Sequence, residues 1–196
     1  QLLQSLLPRF LGRRIVPNFF QLLRRFIKII PAMVKSRKMD TAPPFTGMTN
    51  MGFFNEPRFA MGETPSANAS CSARGLAKIA AMMSAGGKWG EKRYLTEQAW
   101  SSMHADPKKA KMGGILTTRF TQGGVDKFTK YEAGGSEIER AMNEGREGFY
   151  GWMGFGGSIL QWHPELDIGF AFVPTSLHVL DLFNERGKVY QAEILK

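Results

Sequence analysis

The sequence predicts an α+β fold in which amphipathic helices pack against an antiparallel sheet. Near the C-terminus, Ser158–Trp162 and Ile168–Val173 are short runs rich in β-branched and aromatic residues. The segment 163–167 between them has the proline and acidic residues of a turn, which predicts a β-hairpin. Tyr150–Met153 is predicted to be a third strand leading into this hairpin. Upstream, apolar residues recur at helical spacing, so helices are expected to precede the sheet.

Residues 1 to 39 are predicted to be helical and, with the linker to residue 44, to form a basic N-terminal arm. Pro17 and Pro31 are expected to bracket its main helix. The predicted apolar face consists of Phe19, Leu22, Leu23, Phe26, Ile27 and Ile30, with Arg24, Arg25 and Lys28 opposite. Such a helix either covers the core of its own fold or lies on an anionic membrane or a partner. The first use is favoured, because most amphipathic helices serve it.

The positive charge of the chain is concentrated in this arm. Residues 1–40 hold nine Lys and Arg against Asp40, a balance of +8, so of the net charge of +9 the other 156 residues carry only +1. A single cysteine, Cys71, excludes an internal disulfide and is expected to be free and buried. No run of about 18 apolar residues is present, so a transmembrane helix is not predicted.

Two helices are predicted in the middle of the chain, after an irregular connection at residues 41–69. The first follows Ser70 or Ser72 as N-cap and stops at Gly86-Gly87. Thr96 caps the second, which ends at Asp106-Pro107. The predicted buried faces are Leu76, Ile79, Ala80 and Met83 in the first helix, and Ala99, Trp100 and Met103 in the second.

A second hairpin and two loops are predicted between residues 105 and 149. Ile115–Thr121 and Val125–Tyr131 flank Gln122–Gly124, the pattern of a hairpin. The lysines at 108, 109 and 111 are assigned to a surface loop. No nucleic-acid site is predicted, because no element that would recognise bases accompanies these lysines. Residues 132–148, with five glutamates and four glycines, are expected to be an exposed loop. After Pro174, segments 178–183 and 189–195 indicate a closing helix.

No metal or cofactor site is predicted. His104, His163 and His178 do not occur at metal-ligand spacing, and no P-loop lysine follows the glycines at 154–157. His104 is expected to interact with the last carbonyls of its helix, and His163 to be a turn residue. Asn68-Ala69-Ser70 matches a glycosylation acceptor, but we expect Asn68 to be a polar group near the mouth of a site.

The segment from residue 150 to 174 resembles a conserved sequence motif, or box, of a known superfamily. Trp152-Met153-Gly154, Phe155-Gly-Gly-Ser158 and the strand Ile168–Val173 are similar to the third conserved box of the serine β-lactamase and penicillin-binding protein superfamily. This form of the third box is most similar to that of class C-like esterases and animal β-lactamase-related proteins, in which His-x-Gly or Trp-x-Gly replaces Lys-Thr-Gly. Taken alone, the glycines are typical of an ordinary turn. The resemblance covers roughly residues 45–196 and extends back through Glu63–Asn68, Ser72–Lys78 and Leu95–Trp100.

The resemblance implies a three-layer α/β/α sandwich with an antiparallel sheet, of which residues 45–196 would be the C-terminal part. The nucleophile of the superfamily lies in Ser-x-x-Lys, and a second box supplies Tyr-x-Asn. Neither pattern occurs in this chain, which begins with Gln1. We therefore expect the nucleophile on an upstream half, in the same polypeptide or a separate chain, and we expect this chain alone to be inactive.

The resemblance also implies roles for five residues. Phe155 would donate its backbone N–H to an oxyanion, and Trp152 would form a wall of the acyl pocket, while Met153, Gly154 and Asn68 would contact the substrate. Because tryptophan carries no charge, esters, amides or lactones are favoured as substrates over penicillins. The rival hypothesis is an inactive member of the superfamily that acts in assembly or binds a partner or membrane through Phe19–Ile30. A homo-oligomer is left open.

Overall fold

The computed structural model describes residues 2–13, 16–37, 51–62, 69–112 and 116–196. These ranges contain seven α-helices: α1 (Leu2–Leu6), α2 (Phe19–Arg37), α3 (Pro57–Ala60), α4 (Ala73–Ser84), α5 (Glu97–His104), α6 (Glu137–Asn143) and α7 (Glu185–Ile194). They also contain eight strands: β1 (Lys88–Trp89), β2 (Lys92–Arg93), β3 (Lys108–Met112), β4 (Leu116–Phe120), β5 (Asp126–Lys127), β6 (Tyr150–Met153), β7 (Ile159–His163) and β8 (Ile168–Phe172). The predicted α+β class is confirmed.

Six of the strands form one antiparallel sheet in the order β3-β4-β5-β6-β7-β8, so each strand pairs with its neighbour in sequence. Strands β1 and β2 form a separate two-stranded hairpin. Both predicted hairpins of the large sheet are confirmed, although the strand predicted from Val125 to Tyr131 is reduced to β5. Between β7 and β8 the predicted turn is a 3-10 helix at Pro164–Leu166, whose N-cap His163 accepts a hydrogen bond from Leu166 N–H at its Nδ1.

Helices cover both faces of the sheet. The register pairs Trp162 with Gly169 and Gln161 with Phe170, which places Gly169 and Phe170 on opposite faces. Gly169 lies against α4, because a Cβ atom there would be 2.2 Å from the Ala81 nitrogen. On the opposite face, the Gln191 side chain of α7 donates to the Gln161 side chain at 2.7 Å. Each face therefore has its own layer of helix.

The cap predictions for α4 and α5 are confirmed, but one face residue of α4 is wrong. Ser72 accepts from Gly75 N–H, Thr96 accepts from Ala99 N–H, and α4 ends before Gly86 and Gly87, which have positive φ. Ala80 and Met83 are buried as predicted, whereas Ile79 is 48% exposed. The contact with Gly169 turns the small residues at 80 and 81 toward the sheet, which leaves Ile79 outside.

The predicted end and orientation of α2 are both wrong. Pro31 does not end the helix, which continues to Arg37. Leu22 and Ile29 are buried, and so is Arg25, which was assigned to the solvated face. Arg25 is drawn inward by an ion pair with Glu185 at 2.7 Å and by the ring of Phe183. The ion pair and the contact with the ring therefore bury a charged side chain that the amphipathic pattern predicts to be solvated.

Three loop predictions are also wrong. Residues 132–148 include α6, capped by Ser136, with Ile138 and Met142 buried in the core. The lysine-rich segment at 108–112 is the exposed strand β3, because its backbone pairs with β4 along five residues. Within 41–69, the described residues form a 3-10 helix at Met51–Asn55 and helix α3. Residues 178–183 are turns, so the closing helix comprises only α7.

The prediction for Cys71 was half right. The thiol is free, but it is exposed and not buried, because it lies one residue before the N-cap of α4 and outside the core. Two core clusters lie on the two faces of the sheet. One contains Phe128, Met142, Phe149, Ile159 and Phe183 together with Ile29 of α2, and the other contains Ala80, Met83 and Trp162.

Candidate functional site

The loop between β6 and β7, residues 154–158, is tight and closed by its own backbone. Gly154 N–H donates to the Ser158 carbonyl at 2.7 Å, and Gly157 N–H donates to the Gly154 carbonyl at 3.3 Å. Gly156 and Gly157 adopt φ values of +85° and +129°. These values lie in the region that side chains disfavour, so glycine is required at both positions. Phe155 projects from the loop with 59% of its surface exposed.

Asn184 holds the two ends of this loop together. Its side-chain amide donates to the carbonyl oxygens of Gly154 and Ser158, each at 2.7 Å. Asn184 itself has φ of +51° and is only 2% exposed. Asparagine is among the few residues that tolerate this backbone conformation. The left-handed turn before α7 therefore aims a two-donor side chain at the loop.

Arg186 supports the middle of the loop. Its Nη2 donates to the Gly156 carbonyl at 2.7 Å, and its Nε donates to Asp181 Oδ2 at 2.9 Å. Asp181, which is 2% exposed, also accepts the Glu185 N–H at 2.6 Å. A Cβ at Gly157 would lie 2.5 Å from Arg186 Nη2, so the glycine also makes room for this guanidinium. The loop is thus held from one side by the segment that begins α7.

The backbone N–H of Phe155 is not used in this arrangement. The carbonyls of Gly154, Gly156 and Ser158 all accept hydrogen bonds. Among the described residues, no acceptor is paired with the Phe155 N–H. A free donor in a fixed, exposed turn can bind an anionic or carbonyl oxygen of a ligand without rearrangement.

The predicted site residues occupy different environments. Trp152 is partly buried, and its ring lies 5.2 Å from that of Phe120. Gly154 and Phe155 belong to the loop. The side chain of Met153 is buried in the core cluster, so only its backbone faces the loop end of the strand. Asn68 lies outside the described residues.

Sequence reasoning missed Asp181, Asn184 and Arg186. Asn184 followed by the acidic Glu185 is a common signal for the start of a helix. That signal gives no indication that the asparagine and arginine side chains contact a loop about 30 residues upstream. An asparagine followed by two charged residues would ordinarily be assigned to a solvated helix end.

His178 was also dismissed, and it lies against the loop. Its backbone N–H donates to the Gly156 carbonyl at 3.0 Å, and its ring is buried with no partner for Nδ1 among the described residues. Burial, followed by the positive charge of Arg186, holds the pKa of His178 below its ordinary value. The His178 ring therefore places a nitrogen that has no partner among the described residues beside the loop.

His104 makes the carbonyl contact that the sequence predicted. Its Nδ1 lies 2.6 Å from the Trp100 carbonyl, and its Nε2 accepts the indole N–H of Trp162 at 2.8 Å. This pattern places the proton on Nδ1. Burial lowers the pKa of His104, partly opposed by the hydrogen bond to Trp100. Within the described ranges, no group of three His, Cys, Asp or Glu side chains is arranged to hold a metal.

A polar cleft lies elsewhere, between α2 and α6. It has a volume of about 590 Å³, and its lining includes Gln21, Arg24, Lys28, Tyr131, Glu137 and Arg140. Glu137 accepts from Lys28 at 2.6 Å and from Arg24 at 3.0 Å, so much of its charge is paired internally. The cleft does not include the loop.

Comparison of the chain with known protein families, with curated proteins and with solved structures found no match. Among the described residues, no helix combines the length and apolar character needed to cross a membrane.

Proposed function

We propose that this chain is the C-terminal part of a β-lactamase-like serine hydrolase, and that it contributes an oxyanion donor to an active site completed by an upstream half. The observation that supports this proposal best is the Phe155 N–H, which has no hydrogen-bond acceptor among the described residues. It lies in a loop whose neighbouring carbonyls are already bound by Asn184 and Arg186. The fold expected from the resemblance, an α/β/α sandwich, is compatible with helices on both faces of an antiparallel sheet.

The role of Phe155 follows from the chemistry of acyl transfer. A serine hydroxyl attacks the carbonyl carbon of the substrate, its proton passes to a base on the upstream half, and the carbonyl electron pair moves onto oxygen to give a tetrahedral oxyanion. The same proton is later given to the leaving group. A preorganised N–H that donates to this oxygen stabilises the transition state by roughly 3 to 4 kcal/mol. The second donor would be the backbone N–H of the nucleophile itself. The oxyanion then collapses, the leaving group departs with a proton, and water releases the acyl group.

The surroundings of the loop favour an uncharged substrate. By the resemblance, Trp152 corresponds to the lysine of Lys-Thr-Gly, so this position would offer no charge to a carboxylate. The nearest guanidinium, that of Arg186, is already bound to Asp181 and to the Gly156 carbonyl. An ester, amide or lactone is therefore favoured over a penicillin or an anionic peptide.

A serine-reactive fluorophosphonate tests the proposal. The protein would be purified from its native source through a tag at Lys196, treated with the probe, and resolved by size and by intact mass. We expect a labelled serine on an upstream segment or a co-purifying chain, and none within residues 1–196. A native protein that shows no labelled serine, and whose full sequence has no Ser-x-x-Lys, would contradict the proposal.

Two substitutions at residue 155 isolate the backbone donor. Phe155→Pro removes the N–H, whereas Phe155→Ala removes the exposed ring and keeps the N–H. In the native assembly, we expect Phe155→Pro to lower kcat for a chromogenic ester by about 100- to 1,000-fold, as losing one oxyanion donor does elsewhere. Phe155→Ala should change kcat far less. Equal losses in the two variants, with unchanged circular dichroism, would argue against the donor role.

A second candidate function, an inactive member of the superfamily that binds membranes through its arm, is favoured by one observation. Phe20, Leu23, Ile27 and Ile30 of α2 are 77%, 45%, 62% and 53% exposed. They form a stripe beside the buried face, in the part of the chain that carries a net charge of +8. An exposed apolar stripe flanked by cations is typical of helices that lie on anionic lipid.

Vesicle sedimentation tests this second function. We expect binding to phosphatidylserine-containing vesicles, little binding to phosphatidylcholine alone, and loss of binding when Phe20 and Ile27 are replaced by serine. Neutralising Arg24 and Lys28 should weaken it as well. Arg25 is buried and paired with Glu185, so it is left unchanged. Binding that survives both sets of substitutions would exclude the arm as the contact.

A further inference from the structure

We propose that two adjoining clefts beside α2 form one binding site for a small organic anion that carries two or more phosphate groups. The first is the cleft of about 590 Å³ between α2 and α6, and the second, of about 240 Å³, continues it toward α7. Gln21, Glu137 and Arg140 line both clefts. Neither is lined by a residue of the loop at 154–158, so this inference does not rest on the proposed function.

Cations predominate among the charged side chains that line the two clefts. Six cations and three carboxylates are found among the described lining residues, which leaves an excess of three positive charges. A cleft lined mainly by one sign of charge concentrates the electric field and attracts ligands of the opposite sign. The six cations are Arg9, Arg24, Arg25, Lys28, Arg140 and Lys188.

In the first cleft, two cations of α2 converge on a single carboxylate oxygen. Arg24 Nε and Lys28 Nζ lie 3.0 Å and 2.6 Å from Glu137 Oε2. One carboxylate balances only one of the two charges, and the Nη nitrogens of Arg24 have no partner among the described residues. Arg140, on the facing helix α6, approaches Glu144 only to 3.6 Å, and both side chains are largely exposed. These guanidinium groups are therefore available to a phosphate, which arginine binds through two parallel hydrogen bonds.

In the second cleft, Arg25 has buried donors that the described residues do not pair. The residue is 9% exposed, and its Nη2 binds Glu185 Oε1 at 2.7 Å. Its Nε and Nη1 are buried and have no hydrogen-bond partner among the described residues. Because buried polar groups are nearly always hydrogen-bonded, unpaired donors on a residue that lines a cleft indicate an acceptor oxygen there.

Lys188 extends the positive lining of the second cleft onto α7. Its Nζ donates to the Ala141 carbonyl at 3.0 Å. Burial, followed by the nearby charge of Arg146, lowers the pKa of Lys188 to about 8, although Glu185 and Glu144 oppose this shift. The negative charge around the ammonium group is therefore insufficient to offset its burial, and an anion in the cleft would stabilise its charged form.

The arrangement favours an organic anion with several phosphate groups over a single inorganic ion. The donors occupy two adjoining clefts, and a ligand with one phosphate group would reach only one of them. Phe20 and Tyr131 border the first cleft and would contact the organic part of the ligand. Such groups have two sources, a soluble organic phosphate and the headgroup of a phosphorylated lipid, since Phe20 also belongs to the exposed apolar stripe of α2.

Calorimetric titration of the native protein with tripolyphosphate tests the site. At about 0.15 M salt, we expect one saturable site per chain and an affinity about tenfold or more above that for inorganic phosphate. Arg140→Gln should weaken binding of tripolyphosphate about tenfold. The matched control Arg74→Gln removes the same charge from an exposed position of α4 and should leave the affinity nearly unchanged. Equal weakening in the two variants, or the absence of saturable binding, would overturn the proposal.

Acetylation of lysines locates the bound anion. The native protein would be treated with a limiting amount of acetic anhydride, with and without tripolyphosphate, and the modified lysines identified by peptide mass. We expect tripolyphosphate to protect Lys28 and Lys188 from acetylation. It should not protect Lys108 of β3, whose side chain is 78% exposed. Equal protection of all three lysines would indicate diffuse screening of charge and would overturn a site at the two clefts.

Vesicle binding distinguishes the two sources of phosphate. Vesicles that contain phosphatidylinositol bisphosphate would be compared with phosphatidylserine vesicles of equal total charge. A preference for the former that Arg140→Gln abolishes identifies a lipid headgroup as the ligand. Binding of tripolyphosphate without such a preference identifies a soluble organic phosphate. Both results uphold the site, whereas a protein that neither binds tripolyphosphate nor shows this preference would overturn it.

Discussion

At the scale of single residues, Asn184 has the largest structural consequence for the candidate site. It is buried, has a left-handed backbone, and binds both carbonyls that close the loop. The two properties act together: the turn with positive φ directs the side chain toward the loop, and the amide nitrogen carries two N–H donors, one for each carbonyl. The site geometry thus depends on a residue that takes no part in the expected chemistry.

Substitution of Asn184 separates these two properties. Asn184→Gly keeps the left-handed turn and removes one of the two donors from each of the Gly154 and Ser158 carbonyls. We therefore expect the free energy of unfolding to fall by about 1 to 3 kcal/mol. Asn184→Ala should cost about 1 kcal/mol more, because alanine disfavours a positive φ. Urea denaturation of both variants measures the two effects. If alanine were no worse than glycine, the backbone at 184 would not be constrained as described.

Asp126 gives a prediction about pH. Burial raises the pKa of this carboxyl from 3.8 to about 6, partly opposed by the hydrogen bond from Arg119 N–H at 2.6 Å. Between these two values the folded protein retains a proton that the unfolded chain has released. The contribution of Asp126 to stability is therefore full below about pH 4 and is lost as the pH rises through 6.

The pH dependence is isolated by comparison with Asp126→Asn, whose amide oxygen still accepts from Arg119. The stability of the wild type minus that of the variant should fall by on the order of 2 to 3 kcal/mol between pH 4 and pH 6.5. Urea unfolding at several pH values measures this difference. A difference that stays constant, or that rises with pH, would contradict a raised pKa at this position.

Single residues also show how far sequence reasoning reached. Ser72 and Thr96 were identified as caps, because capping depends on residues three positions apart and is visible in sequence. The glycines of the 154–157 turn were identified for the same local reason. The contacts of Asn184 and Arg186 span about 30 residues, and nothing local indicates them. The burial of Met153 and the exposure of Cys71 likewise depend on neighbours that the sequence does not specify.

At the scale of elements, α2 shows why an amphipathic pattern alone was insufficient. Its apolar residues occupy two adjacent stripes, and the sequence does not say which stripe faces the core. The ion pair between Arg25 and Glu185, whose side chains are 11% and 6% exposed, determines which stripe of α2 faces the core. The stripe containing Leu23, Ile27 and Ile30 then remains outside. Charge placement therefore sets the rotation of the helix.

The ion pairs of two neighbouring arginines provide a matched comparison. Arg25→Met leaves the carboxylate of Glu185 buried and unpaired, so we expect a loss of about 3 to 5 kcal/mol. Arg24→Met removes a pair with Glu137 in which the arginine side chain is 68% exposed, and it should cost less than about 1 kcal/mol. Urea denaturation measures both. Similar losses in the two variants would mean that burial does not determine the strength of these pairs.

Helix α6 and strand β3 were missed for related reasons. The segment 132–148 reads as a loop because of its glutamates and glycines, yet Glu139 is buried beside Arg119 and Lys109, which neutralise it. Strand β3 lacks the alternation of a half-buried strand because it lies at an edge with both faces exposed. Its conformation comes from pairing with β4 and not from its own side chains.

At the scale of the whole molecule, the sequence predicted the class and the antiparallel hairpins, since these follow from period-two patterns and turn residues. The order of all six strands and the placement of helices on both faces could not be predicted from the residues alone. They depend on close contacts such as that between Gly169 and α4. Among the described residues, β3 and β8 are the two edges of the sheet, and the candidate loop joins β6 and β7 toward the β8 end.

The arm and the sheet should unfold together. Ile29 of α2 belongs to the same core cluster as Phe128, Phe149 and Phe183, so separation of the arm would expose that cluster. All four tryptophans lie between residues 89 and 162 and report on the sheet region, whereas the 19-residue α2 is the longest helix described and contributes strongly to far-UV circular dichroism.

We therefore expect urea transitions followed by tryptophan fluorescence and by far-UV circular dichroism to coincide. Ile29→Ala should shift both transitions to lower urea together, with a loss of about 2 to 4 kcal/mol. Ile27→Ala, at a position 62% exposed on the same helix, should shift neither by a comparable amount. A helical signal lost at lower urea than the fluorescence signal would show that the arm unfolds independently. The exposed stripe would then belong to a detachable element and not to the surface of a shared core.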